Sequence, residues 1–475
     1  MTTRLPTTTR LIVGPFNRVE GDLEVTLDIA DGVVREARVT APMYRGFEQI
    51  LAARPPEDAL VIAPRICGIC SVSQSMAAAR ALADIAGVTP PPNGILAADL
   101  VLACENAADH LTHFVLFFMP DFARAAYASR PWHKAAVERF AAMEGTSQRS
   151  LLPARARFLH LMGLLAGKWP HSLALQPGGT TKSVDPGERV RLLSILADFR
   201  EALEQVIFAD RLENIAALNS VAALQAWTHA APPEHGDLRL FLHIAEDLGL
   251  DRLGRGPGAF LSHGSFGLWP SGVVMDGQTR PHDPAEMTED LTHAWMDGPT
   301  QPAAHKDGAY SWCKAPRLAG RVVEVGALAR QIVAGDPLAH DLVTESGGAV
   351  MDRVVMRLVE LARLVMAMEG WVKQLRPGEP FCVESPLPLR GTGIGLVEAA
   401  RGALGHWMTV ESGLIQSYQI VAPTTWNFSP RDAAGIPGPL EQALTGTPIQ
   451  PGETTPVAVQ HVVRSFDPCM VCTVH

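Results

Sequence analysis

Charge is what this sequence has least of. Charged residues make up 19% of its 475 positions, against 47% hydrophobic, where a typical soluble domain carries about 25% charged residues. Nor is the charge basic: 40 Lys and Arg face 50 Asp and Glu, for a formal net charge of -10. A nucleic-acid binder needs a basic face to neutralise phosphates, so that class is excluded. Disorder needs few apolar residues and a high net charge, and is excluded as well. Cysteine is sparse and odd in number, seven in all, which is not the pattern of a disulfide scaffold. A long apolar run is also missing. The most apolar stretch, residues 111–119, contains Thr112 and His113 and is far too short to span a bilayer. The amino terminus, MTTRLPTTTRLIVG, has no apolar region of signal-peptide length and no twin-arginine pair. These absences point to a cytoplasmic chain, or to one exported only with a partner. So much apolar content with so little charge requires a very large core or a large permanent interface.

Local patterns give the elements. Residues 24–40 alternate apolar and polar around Asp31-Gly32, a hairpin signal. Residues 98–118, and about 74–86, repeat apolar positions at helical spacing. Asp185-Pro186-Gly187-Glu188 reads as an N-cap, a proline at the first helical position and a capping-box glutamate. The positions after it (Val190, Leu193, Leu196, Leu203, Ile207) predict a helix of more than about 20 residues. Val350, Val354, Leu358, Leu361, Val365, Met368 and Leu375 mark another. Residues 407–421 alternate around Ser412-Gly413, so a second hairpin is expected. Pro/Gly-rich loops are expected near 89–94, 253–272 and 376–395. The fold class that follows is an α-rich α+β protein. It has a long-helix bundle core, with small antiparallel hairpins or sheets near the N-terminus and in the C-terminal third. A prior of about 150 residues per domain suggests about three units, but no linker long or polar enough divides the chain.

Cysteine supplies the chemistry. Cys67-Gly68-Ile69-Cys70 and Cys469-Met470-Val471-Cys472 are both CxxC. Such a turn points two thiolates at one place, and two turns facing each other make a four-sulfur site. Thiolates select soft or borderline metals such as zinc, nickel and iron–sulfur centres. A structural zinc site is one reading, although zinc ribbons place their pairs about 15–20 residues apart and these lie at opposite ends of the chain. A thioredoxin-type redox pair is another, but it leaves the second pair unexplained. If the pairs meet, residues 1–475 fold as a single unit. Cys104, Cys313 and Cys382 have no paired spacing and read as small buried hydrophobes. Two tempting phosphate motifs fail. Gly391-Thr392-Gly393-Ile394-Gly395 follows Pro-rich sequence rather than a strand, and residues 177–183 lack the glycine before Lys182 that a P-loop needs. Both read as loops near the core.

The flanks of the cysteine pairs carry a resemblance. Arg45-Gly46-Phe47-Glu48, fifteen residues, then Pro64-Arg65-Ile66-Cys67-Gly68-Ile69-Cys70 resembles the first signature of nickel–iron hydrogenase large subunits. Phe466-Asp467-Pro468-Cys469-Met470-Val471-Cys472-Thr473-Val474-His475 resembles the second. Similar blocks lie at Arg18-Val19-Glu20-Gly21, Asp109-His110 with His113-Phe114, Tyr310-Ser311-Trp312 with Lys314-Ala315-Pro316-Arg317, residues 401–407, and Pro423-Thr424-Thr425-Trp426-Asn427. The resemblance thus runs nearly the full length. It implies nickel held by four thiolates, Cys67 and Cys469 terminal and Cys70 and Cys472 bridging to an iron that carries CO and two cyanides. It implies heterolytic splitting of H2, with Glu20 taking a proton from Cys469 and passing it outward. Arg401 would lie over the open site, oriented by Asp109 and Asp467, and Pro423 and Thr424 would line the cyanide pocket. Glu48 and His475, with the carbonyl of Ile420, would hold a buried magnesium. A small subunit carrying iron–sulfur clusters is implied, because the cysteines left here have no paired spacing for a cluster of the chain's own.

Some positions depart from the family's common pattern. Gln74 stands where histidine is usual, Ile69 where valine is frequent, Phe117 where leucine is frequent, and Val471 where a small residue is usual. The chain ends at His475 without the usual extension. Together these resemble the regulatory, hydrogen-sensing branch. That branch implies low turnover, a narrowed gas path at Ile69 and Phe117, a possible dimer of heterodimers, and signalling to a histidine kinase. The alternative is an energy-conserving uptake hydrogenase.

Overall fold

The computed structural model describes residues 9–384 and 386–473. Near the start, β1 (Thr9–Val13), β2 (Glu24–Ala30) and β3 (Val33–Thr40) form an antiparallel sheet in that order. The expected hairpin turns at Asp31 (φ 55) and Gly32 (φ 73), the left-handed pair that matches the twist of the flanking strands. Helix α1 (Ser71–Ala86) starts directly after Cys70, and α2 (Pro92–Thr112) follows it. From Leu100 to Thr112 every residue of α2 is buried, so this helix runs through the core rather than along it. It continues as a wider π-helical turn over His113–Phe118, a departure that is frequent at functional sites.

Helix α3 (Pro186–Ala202) begins with the predicted capping box: Asp185 Oδ1 accepts from Glu188 N at 2.7 Å, and Glu188 Oε2 from Asp185 N at 3.0 Å. It too runs on into a π-helical turn, Leu203–Phe208. Val190 was expected on its buried face but is 65% exposed; Leu192, Leu196 and Phe199 form that face instead. The 253–272 segment, expected to be loop, holds β4 (Phe260–Ser265) and the start of β5 (Trp269–Met275), which joins β6 (Gln278–Arg280). The longest helix, α4 (Val350–Gln374), packs against α2 as the apolar spacing predicts. A second three-stranded antiparallel sheet follows, β7 (Gly391–Ala399), β8 (Gly402–Glu411) and β9 (Leu414–Val421), and then α5 (Val457–Ser465). The result is helix-rich α+β with small antiparallel sheets, as expected. One contiguous apolar cluster runs from Val13 to Cys472. No helix of the described residues is long and apolar enough to cross a membrane.

The glycine run at 391–395 is a strand, not a loop. Its glycines serve a helix far away in sequence. A Cβ on Gly393 would lie 2.2 Å from the carbonyl oxygen of Ala81, and one on Gly395 would lie 1.9 Å from that of Ala77. Bare backbone therefore lets alanine-rich α1 lie directly on β7. Turning back into β8, the same strand presents Arg401. Cys382 also departs from expectation: it is exposed, whereas Cys104 and Cys313 are buried.

Gly395→Ala is expected to destabilise the protein by about 3 kcal/mol, at the upper end for overpacking, because backbone on both sides cannot yield. Gly391→Ala meets only the movable Ile85 side chain at 3.0 Å and should cost far less. Thermal unfolding of both variants at one scan rate checks this; equal shifts would contradict the close approach.

Candidate metal centre

Each cysteine turn is set by its own backbone. A short 3-10 turn, Ala63–Ile66, ends in extended backbone at Cys67 (φ -147, ψ 135), and Cys70 is the residue that enters α1. In the second turn Asp467 sits at φ 56, in the left-handed region, which aspartate tolerates better than most residues. A single 3-10 turn, Met470–Cys472, follows. The turns face each other. Cys67 Sγ lies 3.3 Å from Cys469 Sγ, Cys70 Sγ 3.2 Å from Cys472 Sγ, and Cys469 Sγ 3.2 Å from Cys472 Sγ. All four sulfurs lie within 4.8 Å of one another. Disulfide bonding needs about 2.05 Å, so these sulfurs are in contact but not bonded, and all four cysteines are buried. Thiol contacts hold Cys67 well below the ordinary thiol range while Cys70 and Cys469 are raised, as expected when neighbouring S–H groups support one negative charge and burial opposes more. Among the described residues this is the one convergence of three or more His, Cys, Asp or Glu donors. Four soft donors in a buried space fit a thiolate-binding metal.

Several groups hold the two turns in place. Arg45 donates to the carbonyl oxygens of Ile66 and of Arg65 (3.1 Å) beside the first turn, and to that of Val471 (3.4 Å) inside the second. Glu105, from α2, accepts from Val72 N (2.8 Å), Ser73 N (2.9 Å), Ser73 Oγ (2.8 Å) and Trp169 Nε1 (3.1 Å). It thus satisfies the open N–H groups at the start of α1, next to Cys70. Thr424, in the short helix Pro423–Asn427, accepts the backbone N–H of Cys469 at 3.1 Å. Glu20 bonds through its backbone: its N–H reaches Pro468 O at 3.4 Å and its carbonyl accepts from Met470 N at 2.7 Å. Gly21 (φ +80) permits that approach, since a Cβ there would sit 3.0 Å from Val471 N. Glu20 itself is half-buried, and burial followed by the charge of Cys67 raises its carboxyl pKa. Arg18 pairs with Asp121 rather than with Glu20.

A charged layer lies beside the sulfurs. Arg401 donates to Asp467 O (3.0 Å, from Nε) and Oδ1 (3.1 Å, from Nη2), and its Nη1 is 3.0 Å from Asp109 Oδ2, an ion pair without good hydrogen-bond angles. Arg357 donates to Asp467 Oδ2 at 3.1 Å. Burial opposes charge on Asp467, but Arg401, His113 and Arg357 hold it down at about 2; burial pushes Asp109 up to about 7 against the pull of Arg401. Gln74 is fully buried, with Oε1 accepting from His406 Nε2 at 2.8 Å, while Tyr418 OH is 2.8 Å from His406 Nδ1. Ile69 and Phe117 are half-buried.

Elsewhere, Glu48 meets Ile420 through the backbone N–H of Ile420 (2.9 Å), and both its oxygens accept from Lys314 Nζ (3.1 and 3.0 Å). Lys314 is also 2.9 Å from Glu289. His475, the third expected member, lies outside the described residues. Sequence reading singled out neither Arg45 nor Glu105, Arg357 or Arg353 as individual site residues. A signal existed for α4: Arg353, Arg357 and Glu360 stand at helical spacing among the apolar positions of the helix, and all three are buried.

The family description "Nickel-dependent hydrogenase" matches residues 45–150 and 148–475. The chain belongs to the nickel-dependent hydrogenases. It is 30% identical to the periplasmic [NiFeSe] hydrogenase large subunit of Desulfomicrobium baculatum, covering 98% of this chain and 95% of the relative. It is 27% identical to the hydrogenase-2 large chain of Escherichia coli K12, over 98% and 97%. The quinone-reactive Ni/Fe-hydrogenase large chain of Wolinella succinogenes matches at 26%, over 98% and 96%. Among solved structures, the as-isolated oxidised Ni-Fe-Se hydrogenase of D. vulgaris Hildenborough superposes with a TM-score of 0.83 at 29% identity, over 98% of this chain and 100% of that one. In this nickel-dependent hydrogenase the staple between the turns is testable. Arg45→Met should destabilise the fold by about 3 kcal/mol, about what two charged hydrogen bonds contribute, and lower the nickel retained on purification. Elemental analysis with thermal unfolding checks it; unchanged nickel and stability would remove Arg45 from this role.

Proposed function

We propose that the chain is the catalytic large subunit of an H2-oxidising nickel–iron hydrogenase, folded as one unit over residues 1–475. The observation that carries this is the convergence of four buried cysteine sulfurs within 4.8 Å in a member of that family. The relatives' names, quinone-reactive and uptake among them, support uptake over sensing. Cys67, Cys70, Cys469 and Cys472 would hold the metals through their four thiolates. A nickel–iron pair bound there, with CO and two cyanides on iron, supplies the site at which H2 is polarised and split. The chain's own part is to hold charge and move the proton. Glu20, fixed by backbone bonds on either side of Cys469, takes the proton from that sulfur and passes it toward the surface. Arg401 holds a positive charge beside the open site, and Asp109 and Asp467 fix its plane. Pro423 and Thr424, the latter bonded to Cys469 N at 3.1 Å, would border the diatomic ligands.

A magnesium ion on Glu48, Ile420 and His475 remains part of the proposal. Glu48 and Glu289 bring two buried carboxylates to one ammonium, leaving room for further positive charge. The relatives are named large subunits or large chains, which supports a smaller companion; the iron–sulfur clusters belong on it, since Cys104, Cys313 and Cys382, the three cysteines left here, do not converge on a site. The D. baculatum relative is named periplasmic, so the cytoplasmic address expected from the N-terminus draws no support from it. A second reading, low-turnover sensing through a histidine kinase in a dimer of heterodimers, rests on the departures at Gln74, Ile69, Phe117 and Val471.

Glu20→Gln should reduce proton–deuterium exchange and H2 oxidation by about 100-fold or more, the usual scale for losing a positioned acid–base group. Nickel, iron and the infrared bands of CO and cyanide should stay at parental levels. Parental exchange rates in the variant would remove Glu20 from the proton path. Absence of those infrared bands in the parent would overturn the metal assignment. Slow turnover with kinase control would favour the sensing reading.

A further inference from the structure

Away from the cysteine centre, a pair of histidines lacks any account in the chemistry above. His263 lies on β4, and its backbone N–H donates to Glu398 Oε1 at 2.7 Å. His282 follows β6. Their rings stack with centroids 4.9 Å apart at 25°. All four ring nitrogens are buried, and none has a hydrogen-bond partner among the described groups. A neutral imidazole carries one donor and one acceptor nitrogen. The pair therefore leaves two of each unmet, where buried polar groups are nearly always partnered, and an unseen water or ion is a usual reason for such orphans. Ser265 Oγ, two residues along β4, is a third orphan.

We propose that His263 and His282 form a second metal site, for a divalent ion of borderline softness such as zinc. Imidazole nitrogen suits this class of ion, whereas magnesium and calcium prefer oxygen. Burial pushes the pKa of both rings down, so both are neutral near pH 7 and keep the lone pair that a metal needs. Asp283, Glu286 and Arg280 all act on His282; Arg280 pairs with Glu286 at 2.7 Å, which leaves the Asp283 charge to favour a cation over an anion. No third His, Cys, Asp or Glu of the described residues converges on the pair, so water or Ser265 Oγ completes the coordination. Two protein nitrogens make an exchangeable site, weaker than the closed four-ligand sites that hold structural zinc.

The test uses the assembled, nickel–iron-loaded protein, so that the cysteine centre is filled. After treatment with a mild chelator it is titrated with Zn2+ by calorimetry, and bound zinc is counted after gel filtration. The parent should take up one zinc more than either His263→Phe or His282→Gln, or bind it at least tenfold more tightly. Nickel, iron and H2 oxidation should be parental in both variants. His282 is half-buried, so His282→Gln decides the matter if His263→Phe fails to fold. Zinc uptake and affinity in His282→Gln equal to the parent's would overturn the proposal and leave the rings to water.

Discussion

Everything in this molecule answers to one demand: four sulfurs from two turns must share one buried point, although Cys67 and Cys469 are 402 positions apart. Closing a loop of that length costs entropy that grows only slowly with length. The harder problem is local. Thiolates placed together repel and are desolvated, so the backbone around them has to be held from outside. Arg45 ties the two turns to each other, Glu105 ties the first to α2, and Thr424 and the Arg18–Gly21 segment tie the second to the rest of the fold. Each tie uses backbone atoms, so it fixes where a sulfur sits without occupying its lone pairs.

The scarcity of charge acquires a different meaning in this light. Much of what charge there is has been taken inside. Arg401, Asp109, Asp467, Arg357, His110, Glu360, Arg330 and Glu398 are all buried, linked by ion pairs of 2.6–3.1 Å, a hydrogen bond of 3.0 Å between His110 and Glu360 and, between Arg357 and His110, a contact of 3.4 Å. Carboxylates and guanidiniums, with the His110 ring between Arg357 and Glu360, join the metal centre to α4 and to β7. Such pairs add little net stability over a well-packed apolar core, yet removing one member costs about 3–5 kcal/mol because its partner is stranded. The network thus acts as a geometric restraint on Arg401 more than as a source of stability.

Much of this was readable from the chain. Asp31-Gly32 and Ser412-Gly413 gave two hairpins, residues 185–188 a capping box, and the apolar spacing of residues 350–375 the longest helix, because each of these signals is local. The cysteine pairs and their flanks led to the family. What failed depended on distant partners. Gly391–Gly395 looked like a loop because glycine carries no β signal, and its purpose lies in the carbonyls of Ala77 and Ala81. Val190 matched a periodicity whose buried face is turned slightly away. Gln74, Ile69 and Phe117 suggested a sensor, but the structure shows them only as packed core or rim residues, and the named relatives point toward uptake enzymes.

The glycine strand also works as a mechanical detent. Gly393 and Gly395 are the two notches into which the carbonyls of α1 settle. Sliding the helix two residues toward Ala399 would set Val397, the next side chain on that face, against a carbonyl that tolerates none, so the helix cannot move that way. Its leading edge carries Cys70, and the strand's own end carries Arg401. The distance between a sulfur donor and the guanidinium beside it is therefore indexed by missing side chains some 15 Å or more along the strand, at about 3.3 Å per residue. Wear in that notch, through a single added methyl group, would be felt at the metal before it was seen anywhere on the surface.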